Sequence, residues 1–410
     1  MLASTCCHDV RAGLRPLTRN CLLWSCLCRI RLASSHTCVD QQNFTPGYNA
    51  LLGQARLLNG RQHAQLWRTE IAWHVACMTE RARTPPGLAV VVVGNRPDSC
   101  LYIRHKGEAC KEIGMHFHLE HLPRDVKEDI VIGVIHKLNR NARIHGILLQ
   151  LPLPIHLNTN RLLLSIDPMK DVDGIHPDNV GRLALRGIQR PSFLPCAPLG
   201  CLELLWREKI RVLGRSVAII GDSNVVGMPM AWAFRDAGAS SVTLLHSRGL
   251  ETMVGLTTHE RQGFRHRSGA LEFGGLLTMV QVADIVIAAF GKARVVRGEW
   301  IKPGATVVDI GINTIPSSTD TSKMNFDHGC IRKVDMEDES NLFRMGDFHV
   351  VGDVDAEDVS SVAGAMSPVP GGAGPMTIAA LLSNTYLGAS RQNQGDKKCF
   401  LTDRDEYLRR

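Results

Sequence analysis

The stretch GRSVAIIGDSNVVGMPMAWAF, residues 214–234, decides the fold. Ser216–Ile220 form a short apolar run that reads as a buried β-strand. Gly221, Ser223 and Gly227 follow as a tight strand-to-helix turn, and Pro229 suits a first helical turn. Backbone N–H groups at such a helix start can hold a pyrophosphate. The spacing is G-x-S-x-x-x-G in place of G-x-G-x-x-G, so the turn alone is a weak nucleotide signal. Three downstream apolar runs strengthen it: SVTLLHS (241–247), ADIVIAAFG (283–291) and ATVVDIGIN (305–313). Each ends in residues fit for a ligand-binding edge, and the set predicts a Rossmann-like half.

Upstream, the same alternation recurs. ARLLNGRQHAQLWRTEIAWHVACMTERAR (55–83) has helical periodicity and is stopped by Thr84-Pro85-Pro86. GLAVVVVGN (87–95) and IHGILLQLPLP (144–154) read as buried strands of a parallel sheet, and KEDIVIGVIHKLNRN (127–141) as an amphipathic helix between them. DSCLYIRHKGEAC (98–110) reads as a helix with Ser99 at the N-cap, Tyr102 and Lys106 one turn apart on one face, and Gly114 beyond its end. A phenol beside an amine suits proton handling; a surface helix with a snorkelling lysine gives the same pattern. Strand order brings Ser99, Tyr102, Lys106 and Gln150 to one carboxyl-terminal sheet edge, where ligands gather in open α/β sheets. DPMKDVDGIHPDNVGRL (167–183) carries Asp171 and Asp173 in a glycine-rich loop that could equally be plain solvated turn. SPVPGGAGPMTIAALLSNT (367–385) reads as a rigid loop running into a helix near Met376.

Composition excludes several classes. The 410 residues are 44% hydrophobic and 21% charged with a formal charge of +7, which allows two or three ordinary soluble domains. No dense basic block with interleaved aromatics points to nucleic acid, and no apolar run of about 20 residues points to a membrane span. Residues 1–45 carry Arg11, Arg15, Arg19, Arg29 and Arg31, no lysine, and only Asp9 and Asp40 as acids, the pattern of an organelle transit peptide. A secretory signal around CLLWSCLC is the rival, but it begins about 20 residues in, without a clear cleavage site. Thirteen cysteines are scattered without any C-x-x-C pair outside the leader, which argues against zinc and disulfide frameworks and implies no metal site.

In their order, VGNRPDSCLYIRHK, GILLQLPLP, KDVDGIHPDNVGRL, GDSNVVGMP, ADIVIAAFGKA, IKPGATVVDIGIN, GDVD and SPVPGGAGPMTIAALL resemble the bifunctional methylenetetrahydrofolate dehydrogenase/cyclohydrolase, or FolD-like, family over roughly residues 48–388. The resemblance implies an α/β protein of two domains with a cleft between them. These are a folate-binding catalytic domain over 48–195, completed by a C-terminal helix over 376–390, and a Rossmann-like domain over 196–375. It implies a homodimer acting on tetrahydrofolate derivatives with NADP, or NAD as the alternative. By the same resemblance, Lys106 is the general acid/base, Gln150 its partner, and Tyr102 positions the folate. Asp173 anchors the pterin, with Ser99, Pro370, Gly371 and Gly374 also lining the substrate. The dinucleotide is implied to meet Gly221, Asp222, Ser223, Val226 and Gly227 in the first turn. Beyond that turn come His246, Ser247 and Arg248, then Ala289, Gly291 and Ile312.

Three features depart from the family pattern. Asp222 stands where relatives usually carry arginine, which favours NAD by repelling a 2′-phosphate, whereas the His246-Ser247-Arg248 strand end suits that phosphate; the strand end is the usual discriminating position and points to NADP. Insertions over 249–278 and 315–347 read as surface loops, the first with Arg261, Arg265 and Arg267 in solvent. Residues 391–410 read as a polar tail. A redox-impaired folate-binding or cyclohydrolase-only relative is the second reading, and another two-domain dehydrogenase the third. The leader places the protein in the mitochondrial matrix.

Overall fold

The computed structural model describes residues 55–185, 191–246, 277–316, 326–327, 330–331 and 348–392. The leader, Ser247, Arg248, the greater part of both insertions and the tail from 393 lie outside the described residues. The elements run β1 (Arg56–Leu57), α1 (Gly60–Ala82), β2 (Gly87–Val93), α2 (Pro97–Glu112), β3 (His116–Leu122), α3 (Glu128–Arg140), β4 (Gly146–Leu149), α4 (Thr159–Leu164) and α5 (Pro177–Ala184). The second half continues α6 (Cys196–Arg207), β5 (Ser216–Ile220), α7 (Gly227–Asp236), β6 (Ser241–Leu245), β7 (Ile285–Ala288), β8 (Thr306–Asp309) and β9 (Asn313–Pro316). After β10 (Phe326–Asp327) and β11 (Cys330–Ile331) come β12 (Phe348–Val351), α8 (Ala356–Ser360), β13 (Ala365–Met366) and α9 (Ala373–Gln392).

Two parallel sheets form. The first orders β3-β2-β4. Every residue of β2 is buried, because helices cover both faces: Leu88, Val90 and Val92 enter one core, and Ala89, Val91 and Val93 the other. The second sheet orders β1-β13-β8-β7-β5-β6, parallel at every pairing. Strand order reverses at β5, with β6 on one side and β7 on the other, which opens the binding crevice of a doubly wound sheet at their carboxyl ends. At the two ends of the second insertion, β9 and β12 pair as antiparallel arms.

The structure corrects several boundaries. Residues 56–57, expected within a first-domain helix, pair with β13 and so extend the second sheet. Glu208, just past α6, fastens this segment: its carboxylate accepts from Arg56, from His63 at 2.9 Å and from the Asn59 backbone N–H at 3.1 Å. Helix α9 starts at Ala373, three residues before the expected Met376, and runs through residue 392, past the expected start of the tail. It is buried nearly all round and packs on α1 and on α6, the first helix of the Rossmann half. Ser99 is not the N-cap of α2; Arg96 is, with Pro97 at the first helical position, because proline's fixed φ and missing N–H suit that place.

Candidate active site

Lys106 sits on α2, one turn past Tyr102, and its ammonium donates to Gln150 Oε1 at 2.8 Å. Gln150 follows directly on β4, its backbone N–H bonded to Val91 O at 2.9 Å, and its own amide donates to Leu151 O at 2.9 Å. Both side-chain edges are therefore oriented, and the oxygen is left to face the lysine. Burial lowers the Lys106 pKa; Asp173, then Cys196 and Cys110, oppose the shift by favouring the cation. Burial in turn raises the Asp173 carboxyl against the pull of Lys106. The acid and the amine thus approach one another in proton affinity, the condition for moving a proton at neutral pH.

The paired aspartates of KDVDG have separate tasks. Asp171 is buried, and its Oδ2 accepts from the His176 N–H and the Asn179 side chain, both at 2.8 Å. Lys170 turns the other way and donates to Asn139 O at 2.7 Å and Asn141 O at 2.9 Å, closing the end of α3. These two residues shape the loop, while Asp173 faces Lys106. Asn384 of α9 donates to Val172 O and Leu194 O, both at 2.9 Å, and so holds the aspartate loop against the segment bearing Cys196. Cys196 donates its thiol to Val172 O at 3.2 Å. Sequence reasoning weighed the cysteines only as metal or disulfide ligands and missed Cys110 and Cys196 as neighbours of the lysine. For Cys110 the i, i+4 spacing from Lys106 was a readable signal; Cys196 and Asn384 had none. Burial pushes Cys110 up to about 12 and Cys196 well above the ordinary thiol range, so both stay neutral. Pro370 and Gly371 lie on the loop before α9, with Gly374 in its first turn.

At the second sheet, Gly221 ends β5 with φ +110°, and a Cβ there would lie 2.3 Å from Ala289 O. A Cβ on Gly227 would lie 2.0 Å from Gly221 O. The turn is closed so tightly that only glycines fit, which packs β5 against the start of α7, the place in a doubly wound sheet where a dinucleotide pyrophosphate is held. Ser223 Oγ accepts from the Val226 and Gly227 N–H groups at 3.2 and 3.3 Å. Asp222 Oδ2 lies 3.3 Å from His246 Nε2, joining the ends of β5 and β6. Gly291 follows β7 with φ +77°, and Ile312, 43% exposed, follows β8.

This combination defines a two-domain NAD(P)-binding protein with a half-buried lysine–amide–carboxylate site in its first domain. Residues 58–173 match the profile described as tetrahydrofolate dehydrogenase/cyclohydrolase, catalytic domain. Residues 195–259 and 274–393 match the NAD(P)-binding domain of the same family. The chain is 40% identical over 337 residues to bifunctional protein FolD 2 of Arabidopsis thaliana, covering 82% of this chain and 96% of that one. It is 36% identical over 402 residues to the chloroplastic bifunctional protein FolD 4 of the same plant, covering 95% and 98%. Among solved structures it resembles the methylenetetrahydrofolate dehydrogenase/cyclohydrolase of Campylobacter jejuni, with TM-score 0.64, 34% identity and coverage of 82% and 99%. It also resembles the Trypanosoma brucei enzyme complexed with NADP and an inhibitor, with TM-score 0.67, 30% identity and coverage of 83% and 99%. The chain belongs to the tetrahydrofolate dehydrogenase/cyclohydrolase family.

Proposed function

We propose that the chain oxidises 5,10-methylenetetrahydrofolate to the 5,10-methenyl cation and hydrolyses that cation to 10-formyltetrahydrofolate. The observation that carries this reading is the half-buried Lys106 amine held by Gln150 opposite Asp173. A bound nicotinamide dinucleotide supplies the hydride acceptor. Asp173 receives the aminopyrimidine edge of the pterin through its carboxylate oxygens. Tyr102 holds the ring over the lysine. In the hydrolysis, Lys106 takes a proton from the attacking water as its oxygen bonds to the one-carbon unit. It returns a proton to the ring nitrogen as the carbon–nitrogen bond breaks, and formation of the formyl C=O releases one proton overall. Gln150 keeps the amine aimed through both steps.

The preferred dinucleotide is NADP. The T. brucei relative was crystallised with NADP, and the His246-Ser247-Arg248 strand end suits a 2′-phosphate; Asp222 opposes it. The arginine-rich leader marks the protein for mitochondria, and the exposed edge strand β3 is the surface on which a homodimer would assemble. Assays of purified residues 46–410 with methylenetetrahydrofolate and each dinucleotide, and with methenyltetrahydrofolate in water, test the reading. Oxidation with NADP favoured and hydrolysis in the same preparation are expected; hydrolysis without oxidation overturns the first half. A leader–reporter fusion that stays cytosolic sinks the mitochondrial assignment, and a monomer in sedimentation sinks the dimer.

A further inference from the structure

Two acids in the second domain lie outside the chemistry above. Asp309 ends β8 and Asp353 follows β12; both are buried, and among the described residues neither has a Lys or Arg partner. Burying carboxylates without cations is costly unless their oxygens are filled by donors. Here the donors are almost all backbone. Asp353 Oδ2 accepts from the Phe290 and Gly291 N–H groups at 2.6 and 2.8 Å, and its Oδ1 accepts from the Asn313 side chain at 2.9 Å. Asp309 Oδ1 accepts from the N–H groups of Gly311 at 2.8 Å and Asp353 at 3.1 Å, and its Oδ2 from Val354 at 2.9 Å. The Asp309 N–H donates to Ser367 Oγ at 2.8 Å, at the head of the SPVPGG loop.

The carboxylates approach the backbone so closely that no side chain fits. A Cβ on Gly311 would lie 2.1 Å from Asp353 Oδ1, and one on Gly352 would lie 1.9 Å from Asp309 Oδ2. Phe290 and Gly291 follow β7, and Gly311 and Asn313 follow β8, so both turns lie at the carboxyl edge of the sheet. Ala289, one residue earlier, abuts Gly221 of the dinucleotide turn. We propose that Asp353, seated on Asp309, is a positioning residue for the dinucleotide: its carboxylate clasps the turns after β7 and β8 in the one arrangement that completes the crevice. This rests on the proposed dehydrogenase reading. The Asp353 carboxylate bonds to the turns after β7 and β8 and to no residue of the Lys106 centre, which can work without it.

The test is Asp353→Asn in the full chain. An amide cannot accept at both edges, so the clasp loses its charge and either the Phe290–Gly291 turn or Asn313 meets an N–H where an acceptor stood. NADPH binding, followed by its fluorescence, should weaken by about tenfold or more, and the KM for the dinucleotide should rise in step. Hydrolysis of methenyltetrahydrofolate without dinucleotide should stay within about twofold, because a change that small is under about 0.5 kcal/mol at the lysine centre. Asn313→Ala removes one donor and should produce a smaller shift in the same direction, and it decides the matter if Asp353→Asn fails to fold. NADPH affinity unchanged in both variants overturns the proposal. So does a parallel fall of both activities with the melting temperature, which is the signature of a merely structural role. If the wild type has neither activity, the functional reading fails by itself, and the NADPH titration still decides the clasp.

Discussion

Buried charge is handled in opposite ways in the two domains. Around Lys106 a cation, a carboxylate and two thiols from α2, the Asp173 loop and α6 face one another, and the amine has one amide partner. Around Asp309 and Asp353 two carboxylates face backbone N–H groups that fill their oxygens. The first arrangement brings proton affinities together and leaves a group free to react. The second spends its charge on holding main chain in place. Burial alone therefore does not identify a reacting group; the partners do.

Breaking the first arrangement should have the largest effect. Lys106→Met fills the space without a proton carrier, so methenyl hydrolysis should fall by about 100-fold or more. A rate assay that finds hydrolysis retained removes the lysine from the chemistry. The next largest effect separates the two aspartates. Asp173→Asn keeps the shape but loses a charged acceptor, so the KM for the folate should rise by about tenfold or more, with little change in melting temperature. Asp171→Asn should do the reverse, lowering the melting temperature by several degrees through its two lost charge-assisted bonds. Equal behaviour of the two variants would erase the distinction drawn between them.

Cofactor choice gives a smaller effect. A carboxylate about 5 Å from a 2′-phosphate costs on the order of 1 to 3 kcal/mol at an effective dielectric near 20 to 40. His246 Nε2, 3.3 Å from Asp222 Oδ2, already engages that carboxylate. Asp222→Arg should raise kcat/KM with NADP by about tenfold and change that with NAD much less. No gain with NADP would show that the turn does not set the preference.

The smallest effect tests the second arrangement. Burial pushes Asp309 up to about 7, far above the roughly 3.9 of an unfolded chain. The folded state then holds the extra proton between those values, so this group's contribution to stability is present at about pH 4 and is lost as pH rises toward 7. Melting temperatures from pH 4 to 7.5 should fall less steeply in Asp309→Asn than in the wild type. Parallel curves would mean that Asp309 does not titrate in that window.

What the sequence determined by itself was everything local. Apolar runs and glycine turns announced β2, β4 and β5 to β8 but not β1, β3 or β13, which are too short or too polar to show a buried run, and the i, i+4 spacing put Tyr102 and Lys106 on one face, because period and backbone sterics act over a few residues. QLPLP and KDVDG named Gln150 and Asp173 through resemblance. Tertiary structure alone decided the rest. Arg56–Leu57 reads like the approach to a helix until β13, some 300 residues later, offers it a parallel edge. Asp171 and Asp173 stand two positions apart in sequence, and only folding sends one to Asn179 and the other to Lys106. Cys196, Asn384 and the Asp309–Asp353 clasp carry no local pattern, because their partners come from distant segments. A hydrogen bond or a desolvated charge is a property of the assembled neighbourhood, and no stretch of chain contains it beforehand.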